Sequence, residues 1–352
     1  MTDRKMATVR RIDAINPIEG ADAIEVATVD GWMVVVKKGE FKAGDLAVYC
    51  EIDSWIPTNV APFLTKPGHY PKVFEGVEGE KLRTIRLRGQ VSQGLLLPVF
   101  NDKTGSYLMI MDIEVGEYSV TVAEGDDVSE LLGILKYEAP VSAQLAGMAR
   151  GNFPSRIIKT DQERVQNLTQ EFSNGKIAQN RYEISEKLEG SSCTYYIMDG
   201  VFGVCSRNLD LMEVLGNSFW DVARRDGIEE KLRLLGYDVA VQGELIGPGI
   251  QDNIYKINRH EFYLFDIQFV GAMKYQEPIV RRIVATGLGI KHVPVIEIAA
   301  HVGTMQEVIA MADGKSAINP TVNREGIVFK ANSENRFSFK AISNAYLVKQ
   351  KD

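Results

Sequence analysis

The chain is poor in cysteine and histidine. Three cysteines (Cys50, Cys193, Cys205) among 352 residues cannot build a disulfide framework and lack zinc-ligand spacing, so a reducing, cytoplasmic setting is expected. The four histidines (His69, His260, His292, His301) are scattered and form neither a metal cluster nor a catalytic triad. Long apolar runs are missing too. Residues 33–36 are typical of the longest, far short of the ~20 residues that span a bilayer. The opening segment MTDRKMATVRRID lacks the apolar core of a signal peptide. There is no excess of positive charge either. With 40 basic and 47 acidic residues the net charge is −7, so any nucleic-acid partner must be met by locally focused basic groups. Internal repeats and low-complexity tracts are absent.

What is present is a globular composition, 45% hydrophobic and 25% charged, which excludes wholesale disorder. The length predicts about two domains. The first half reads as short strands and turns. Residues 23–29 and 32–37 flank Asp30-Gly31, a two-residue hairpin signal. Further strands are expected at 6–12, 46–52, 82–87 and 94–100, and a short helix at 128–135 with Asp126 or Asp127 as its cap. Such a pattern suggests a small barrel or sandwich. Residues 137–158, with Pro140, Gly147, Gly151 and Pro154, read as a linker. Beyond it Thr160 is the expected cap of a helix running through Leu168.

The second half mixes strands (182–185, 194–198, 201–205, 239–245, 262–269, 326–330) with helices (219–235, 305–312), and Asp199-Gly200 is a second hairpin signal. Without a strict βαβ rhythm this predicts an α+β domain. Its sharpest local feature is Glu186-Lys187-Leu188-Glu189-Gly190, a lysine at a strand end in a glycine-closed turn. Lysine is a nucleophile only when neutral. With a reference pKa of ~10.4, about one in a few thousand is neutral at pH 7. A catalytic lysine needs desolvation, cations or metal to lower its pKa. Taken alone, K-x-x-G is an exposed lysine in a turn.

Other pieces follow in order: Ser206-Arg207, Gly243-Glu244, the aromatic strand ending in Phe265-Asp266-Ile267, Glu325-Gly326-Ile327-Val328-Phe329-Lys330, and Lys340. This series resembles the covalent nucleotidyltransferases, the superfamily of ATP-dependent polynucleotide ligases and mRNA capping enzymes. Within it the chain looks most like RNA ligases of the bacterial and phage group with a small OB-like module in front. Residues 34–57 (VVVKKGEFKAGDLAVYCEIDSWIP) are similar to that module, and KTDQERVQNL at 159–168 resembles the start of the catalytic domain. The resemblance covers nearly the whole chain. It implies an OB-like β-barrel over 1–136, a linker over 137–158, and an α+β nucleotidyltransferase (ATP-grasp-like ligase) domain of mixed and antiparallel sheets over 159–352. DNA ligases and capping enzymes carry their OB domain after the final lysine. Here only twelve residues follow Lys340, which favours an RNA ligase.

The resemblance further implies that Lys187 attacks the α-phosphate of ATP, that the AMP passes to an RNA 5′-phosphate, and that the RNA 3′-hydroxyl displaces it to seal the strand. It implies a role in RNA repair or nick sealing in the cytoplasm; the sequence does not fix the oligomeric state, and a monomer is the expectation. Phe265 would stack on adenine, with Glu186 bordering the pocket. Glu244 would bind ribose, and Arg207 ribose or triphosphate oxygens. Lys330 and Lys340 would neutralise the α-phosphate. Glu325 and Glu189 would hold hydrated Mg²⁺ or Mn²⁺. Strand alternation places Tyr263, Phe265 and Ile267 on one face, with Leu264 and Asp266 opposite.

Two positions depart from the family pattern. Glu189 stands where the turn usually has Asp, and Ser338 where many relatives have the first lysine of a K-x-K pair. They motivate a competing reading, a ligase-like protein that binds ATP or RNA without turnover. Another is a nick sealer acting on DNA or RNA–DNA hybrids. Candidate phosphate contacts are Lys37, Lys38 and Lys42 near one turn, and Arg86 with Arg88 on one strand face opposite Ile85 and Leu87. The acidic stretch 112–130 argues against RNA on that side. Arg324, Lys330, Arg336, Lys340 and Lys349 against Glu325 and Glu334 make a basic catalytic floor.

Overall fold

Both Asp-Gly pairs make the hairpins their sequence predicts. Asp30 and Gly31 take φ of 48° and 79°, closing Ile24–Val29 onto Trp32–Lys37. Asp199 and Gly200 take 52° and 76° between Ser191–Met198 and Val201–Cys205. Left-handed φ at both central residues gives a turn whose twist matches the strands it joins. The computed structural model describes residues 4–102, 105–112, 116–138, 140–141, 143–333 and 337–347, and the chain divides into two units, Met1–Pro140 and Val141–Lys349.

In the first unit Leu46–Cys50 lies between Ala7–Arg11 and Leu95–Pro98, and its last four residues are buried. Ala14–Pro17, Ile24–Val29 and Trp32–Lys37 form a second antiparallel sheet, and Trp32 stacks on Tyr49 at 5.6 Å. The helix expected at 128–135 is absent. Leu132 N donates to Val128 O at 3.0 Å, but Gly133 then takes φ 61° and ends that single turn. Part of the acidic stretch 112–130 is instead strand, because Gly105–Asp112 pairs with Gly116–Thr121, and residues 113–115 lie outside the described residues. Arg88 is not a strand residue. It occupies the turn between Ile85–Leu87 and Gln90–Ser92 with φ 50°, so it shares no strand face with Arg86.

The second unit holds two sheets. The seven-stranded one runs Ala149–Asn152, Leu209–Leu211, Val201–Cys205, Ser191–Met198, Val239–Ile246, Glu261–Phe269, Lys274–Tyr275. The five-stranded one runs Glu163–Arg164, Ser338–Ile342, Gly326–Ala331, Tyr182–Lys187, Val295–Ala300, with its Glu163–Arg164 edge paired in parallel. Part of the expected linker is therefore built into the fold: Ala149–Asn152 satisfies its backbone on Leu209–Leu211. The helix expected after Thr160 is likewise overridden by that edge pairing, and only short turns follow it. The helix expected at 219–235 is two, Ser218–Arg225 and Ile228–Arg233, broken at Gly227 with φ 62°. Helix Pro278–Leu288, not anticipated, starts on a proline in its first turn and stops at left-handed Gly289. Helix Met305–Ala312 carries a capping box between Thr304 and Glu307. Among the described residues no helix is long and apolar enough to cross a membrane.

Candidate active site

Strand Tyr182–Lys187 alternates between two environments. Tyr182 and Ile184 enter the core with Phe329 and Phe339, while Ser185 and Lys187 line a cavity of ≈320 Å³. Val328, Lys330 and Lys340 line it from the neighbouring strands, since Ser185 pairs with Val328 and Val328 with Lys340. The seven-stranded sheet contributes Ser192, Glu244 and Phe265, and Arg207 closes a further side. Gly190 brings these parts together. A Cβ there would lie 2.5 Å from Leu245 O and 2.8 Å from Glu244 Cγ, so only glycine lets the lysine turn rest on the Glu244 strand.

Lys187 Nζ donates to Glu325 Oε1 at 2.6 Å. Burial pushes the lysine down, but Glu325 and Glu244 outweigh it and hold its pKa above the ordinary value. Glu244 is pushed up to about 8, chiefly by burial, with Lys187 and Arg207 opposing and Glu325 reinforcing. Glu189 lies outside the cavity lining. Its amide donates to Tyr255 Oη at 2.6 Å, and burial raises its carboxyl, opposed by the Tyr346 hydroxyl and reinforced by Glu325 and Asp252. Its Oε2 is buried with no hydrogen-bond partner among the described residues. Among those residues no three His, Cys, Asp or Glu side chains are grouped to hold a metal directly.

Glu186 borders the cavity, but its side chain ties down the loop before Glu325, where Oε2 accepts from Ala317 N at 2.8 Å. Burial raises its carboxyl, against Ser316, Ala317 and Arg324. Arg207 is exposed and paired with Asp161 at 2.9 Å. Arg336, Lys349 and Glu334 of the expected basic floor lie outside the described residues. Arg324 spends its guanidinium on the carbonyls of Met311, Ala312 and Asp313.

Phe265 lines the cavity on the same face as Tyr263, as alternation predicts, but alternation breaks just after it. Gln242 pairs with Asp266 and Gly243 with Leu264, leaving Phe265 as an extra residue in a bulge. Ile267 consequently joins Phe262 and Leu264 in the helix-packed core, on the face opposite Phe265, which corrects the expected grouping. The bulge also turns Asp266 toward Lys330, whose Nζ donates to Asp266 Oδ1 at 2.9 Å and to Phe265 O at 2.5 Å, and lies 5.2 Å from the Phe265 ring centroid.

Sequence reasoning missed what stands behind this lysine. Arg281, 1% exposed on the unanticipated helix, bonds Glu183 and reaches Asp266 at 3.4 Å, while Arg282 meets Glu183 at 2.8 Å. His292, beside Arg281, is depressed to about 3 by burial and that guanidinium, and stays neutral. The signal was there as Glu183 and Asp266, acids inside strands, with an Arg pair that no surface role required.

A model of RNA ligase matches residues 180–342, and an OB-fold domain model matches residues 6–99. Solved structures of the Naegleria gruberi RNA ligase align over essentially the full length. A lysine-to-methionine mutant with AMP and Mn is 45% identical, with TM-score 0.82 over 99% of this chain and 100% of that one. The form with PPi is 44% identical, with TM-score 0.81 over 99% of each. No curated protein matches. On identity and coverage together, the chain belongs to the RNA ligase family, with an OB-fold domain ahead of its ligase domain.

Proposed function

We propose that this is an ATP-dependent RNA ligase that works through a lysine-linked AMP on Lys187, joining a 3′-hydroxyl to a 5′-phosphate. The observation that carries the reading is Lys187 at a cavity of ≈320 Å³, held by Glu325 and faced by Glu244, Phe265, Lys330 and Lys340. That volume lies at the lower end for a small-molecule site.

In the first step the neutral Lys187 amine attacks the α-phosphorus of ATP. The P–N bond forms, the bond to the bridging oxygen breaks, and pyrophosphate leaves. In the second, a 5′-phosphate oxygen displaces the lysine. In the third, the 3′-hydroxyl attacks the activated 5′-phosphate and AMP leaves. Such transfers depend on positioning and charge neutralisation. Glu325 is the group whose charge keeps Lys187 protonated. Withdrawing that charge leaves burial to push the lysine down, the direction a nucleophile needs.

Phe265 offers its face to adenine, with Glu186 at the pocket's border. Glu244 accepts from ribose, Arg207 reaches ribose or triphosphate oxygens, and Lys330 and Lys340 meet the α-phosphate. A divalent cation, Mg²⁺ or Mn²⁺, would neutralise triphosphate charge when bound. The residues present fit one, because Glu189 offers a hard carboxylate oxygen that is buried without a partner among the described residues, and its carboxyl feels the charge of Glu325. The longer Glu189 would act through water. The Naegleria structures with ATP and Mn support the cofactor assignment. The likeness to those structures also favours sealing of RNA breaks or nicks as the role.

The test is incubation with α-labelled ATP and Mg²⁺ or Mn²⁺, then denaturation. Label is expected on the wild-type chain and none on Lys187→Ala. No label with either metal, on protein that binds ATP, overturns the reading.

A further inference from the structure

We propose that the hairpin Ile85–Leu87/Gln90–Ser92 of the first unit grips RNA backbone phosphates through Arg83, Arg86 and Arg88. The proposal deepens the RNA-ligase reading. Several well-exposed arginines elsewhere sit on a carboxylate, Arg11 on Glu124, Arg207 on Asp161 and Arg259 on Glu261, and Arg181 is the isolated exception rather than part of a cluster. Arg83, Arg86 and Arg88 are all exposed, and none has an ion-pair or hydrogen-bond partner among the described residues. Acidic residues outnumber basic ones in the chain, 47 to 40, yet none occurs between Glu80 and Asp102.

The backbone makes these arginines a fixed display. Arg88 and Gly89, at φ 50° and 82°, form the turn. The second strand is anchored: Ser92 Oγ accepts from Val35 N at 3.0 Å, Gln93 N donates to Met33 O at 2.7 Å, and Val91 is buried. The first strand is exposed on both faces, with Ile85 at 44% and Leu87 at 38%. Core packing therefore does not explain its residues. A forked guanidinium suits a phosphate diester, and free arginines bind without first breaking an ion pair. An enzyme that joins ends of varied sequence needs contacts of this kind, because phosphate contacts position a strand without reading it.

The experiment compares wild type with the triple variant Arg83→Gln, Arg86→Gln, Arg88→Gln. Binding to fluorescein-labelled single-stranded RNA and to a nicked RNA duplex is measured by anisotropy across a KCl series, together with the KM for RNA in sealing. Three contacts predict that the slope of log affinity against log salt falls by about 2, that binding near 0.1 M salt weakens about tenfold or more, and that KM rises in parallel. The loss should be the same for unrelated RNA sequences. The Arg→Lys triple keeps the charge and should keep most of the slope. Unchanged affinity, slope and KM overturn the proposal, and that is also the result if the hairpin serves a protein partner. ATP labelling of Lys187 needs no RNA and should be unaffected. Its failure in the wild type would count against the ligase mechanism, while the RNA measurement would still decide the hairpin.

Discussion

Lys187 Nζ and Glu325 Oε1 stand 2.6 Å apart across the antiparallel pairing of Lys187 with Gly326. A Cβ at position 326 would fall 2.2 Å from Ala341 O, so glycine there lets this strand approach its neighbour just beyond Glu325. The pair explains how a lysine under desolvation stays protonated until its carboxylate partner is drawn elsewhere.

Neutralising that partner separates the two influences. In Glu325→Gln the largest opposing charge is gone and burial dominates, so the pKa of Lys187 should move downward. Self-labelling should fall by about a hundredfold, the scale of losing one well-placed electrostatic group. The acid limb of the residual rate should shift to lower pH. A pH profile of single-turnover labelling checks this, and an unshifted limb would mean Glu325 does not control the lysine's proton.

Glu244 gives a stability prediction with a definite sign. Its folded pKa of about 8 lies above the reference of 4.5, so between those values the native state holds a proton that the unfolded chain has released. Stability contributed by this group is present below about pH 4.5 and lost as pH rises toward 8. Glu244→Gln removes the dependence. The Tm of the variant minus that of wild type should grow from pH 5 to pH 8, and thermal melts across that window would show it.

Buried charge behind Lys330 should matter more for folding than any surface pair. Asp266 and Glu183 are each 1% exposed, and Arg281 serves both. Arg281→Met takes one cation from two buried carboxylates at once, leaving Glu183 to the quarter-exposed Arg282 and Asp266 to Lys330, and should cost about 3 kcal/mol in urea unfolding. Lys330→Met leaves Asp266 with Arg281, so it should cost clearly less stability while depressing ATP labelling. Equal stability losses would mean the two cations are not layered as described.

Most residues lining this cavity can be singled out from the chain because they sit in short local motifs. The lysine turn, the Gly-Glu strand end and the glutamate opening the Gly326 strand are each weak alone, and become legible through their order, which resembles the nucleotidyltransferases. The Asp-Gly hairpins are legible by themselves, since two residues dictate the backbone. What stayed hidden depends on pairing across the fold. The bulge at Phe265 exists only in register with Gln242 and Gly243, and it reversed the assignment of Ile267. Glu163–Arg164 was drawn from helix to strand by an edge of Phe339–Lys340 more than 170 residues away. Helix Pro278–Leu288 shows exposed Ile279, Val280 and Ile283 beside a buried Arg281, which blurs its amphipathic signal.

Gly190 offers the sharpest steric test. Alanine there would press its Cβ against Leu245 O and Glu244 Cγ, at 2.5 and 2.8 Å. The nearer atom is backbone inside a sheet and cannot rotate away. Relief must come from parting the lysine turn and the Glu244 strand, the two elements that face each other across the cavity. Overpacking of this kind costs about 1–3 kcal/mol, so Gly190→Ala should still fold cooperatively, with a lowered Tm. Lys187 would then sit out of line with Glu244, and misplacement by about an ångström is worth roughly a hundredfold in rate. Single-turnover ATP labelling should therefore fall far more than the folded fraction does. Labelling that tracks the folded fraction alone would show that the turn is free to shift without disturbing the nucleophile.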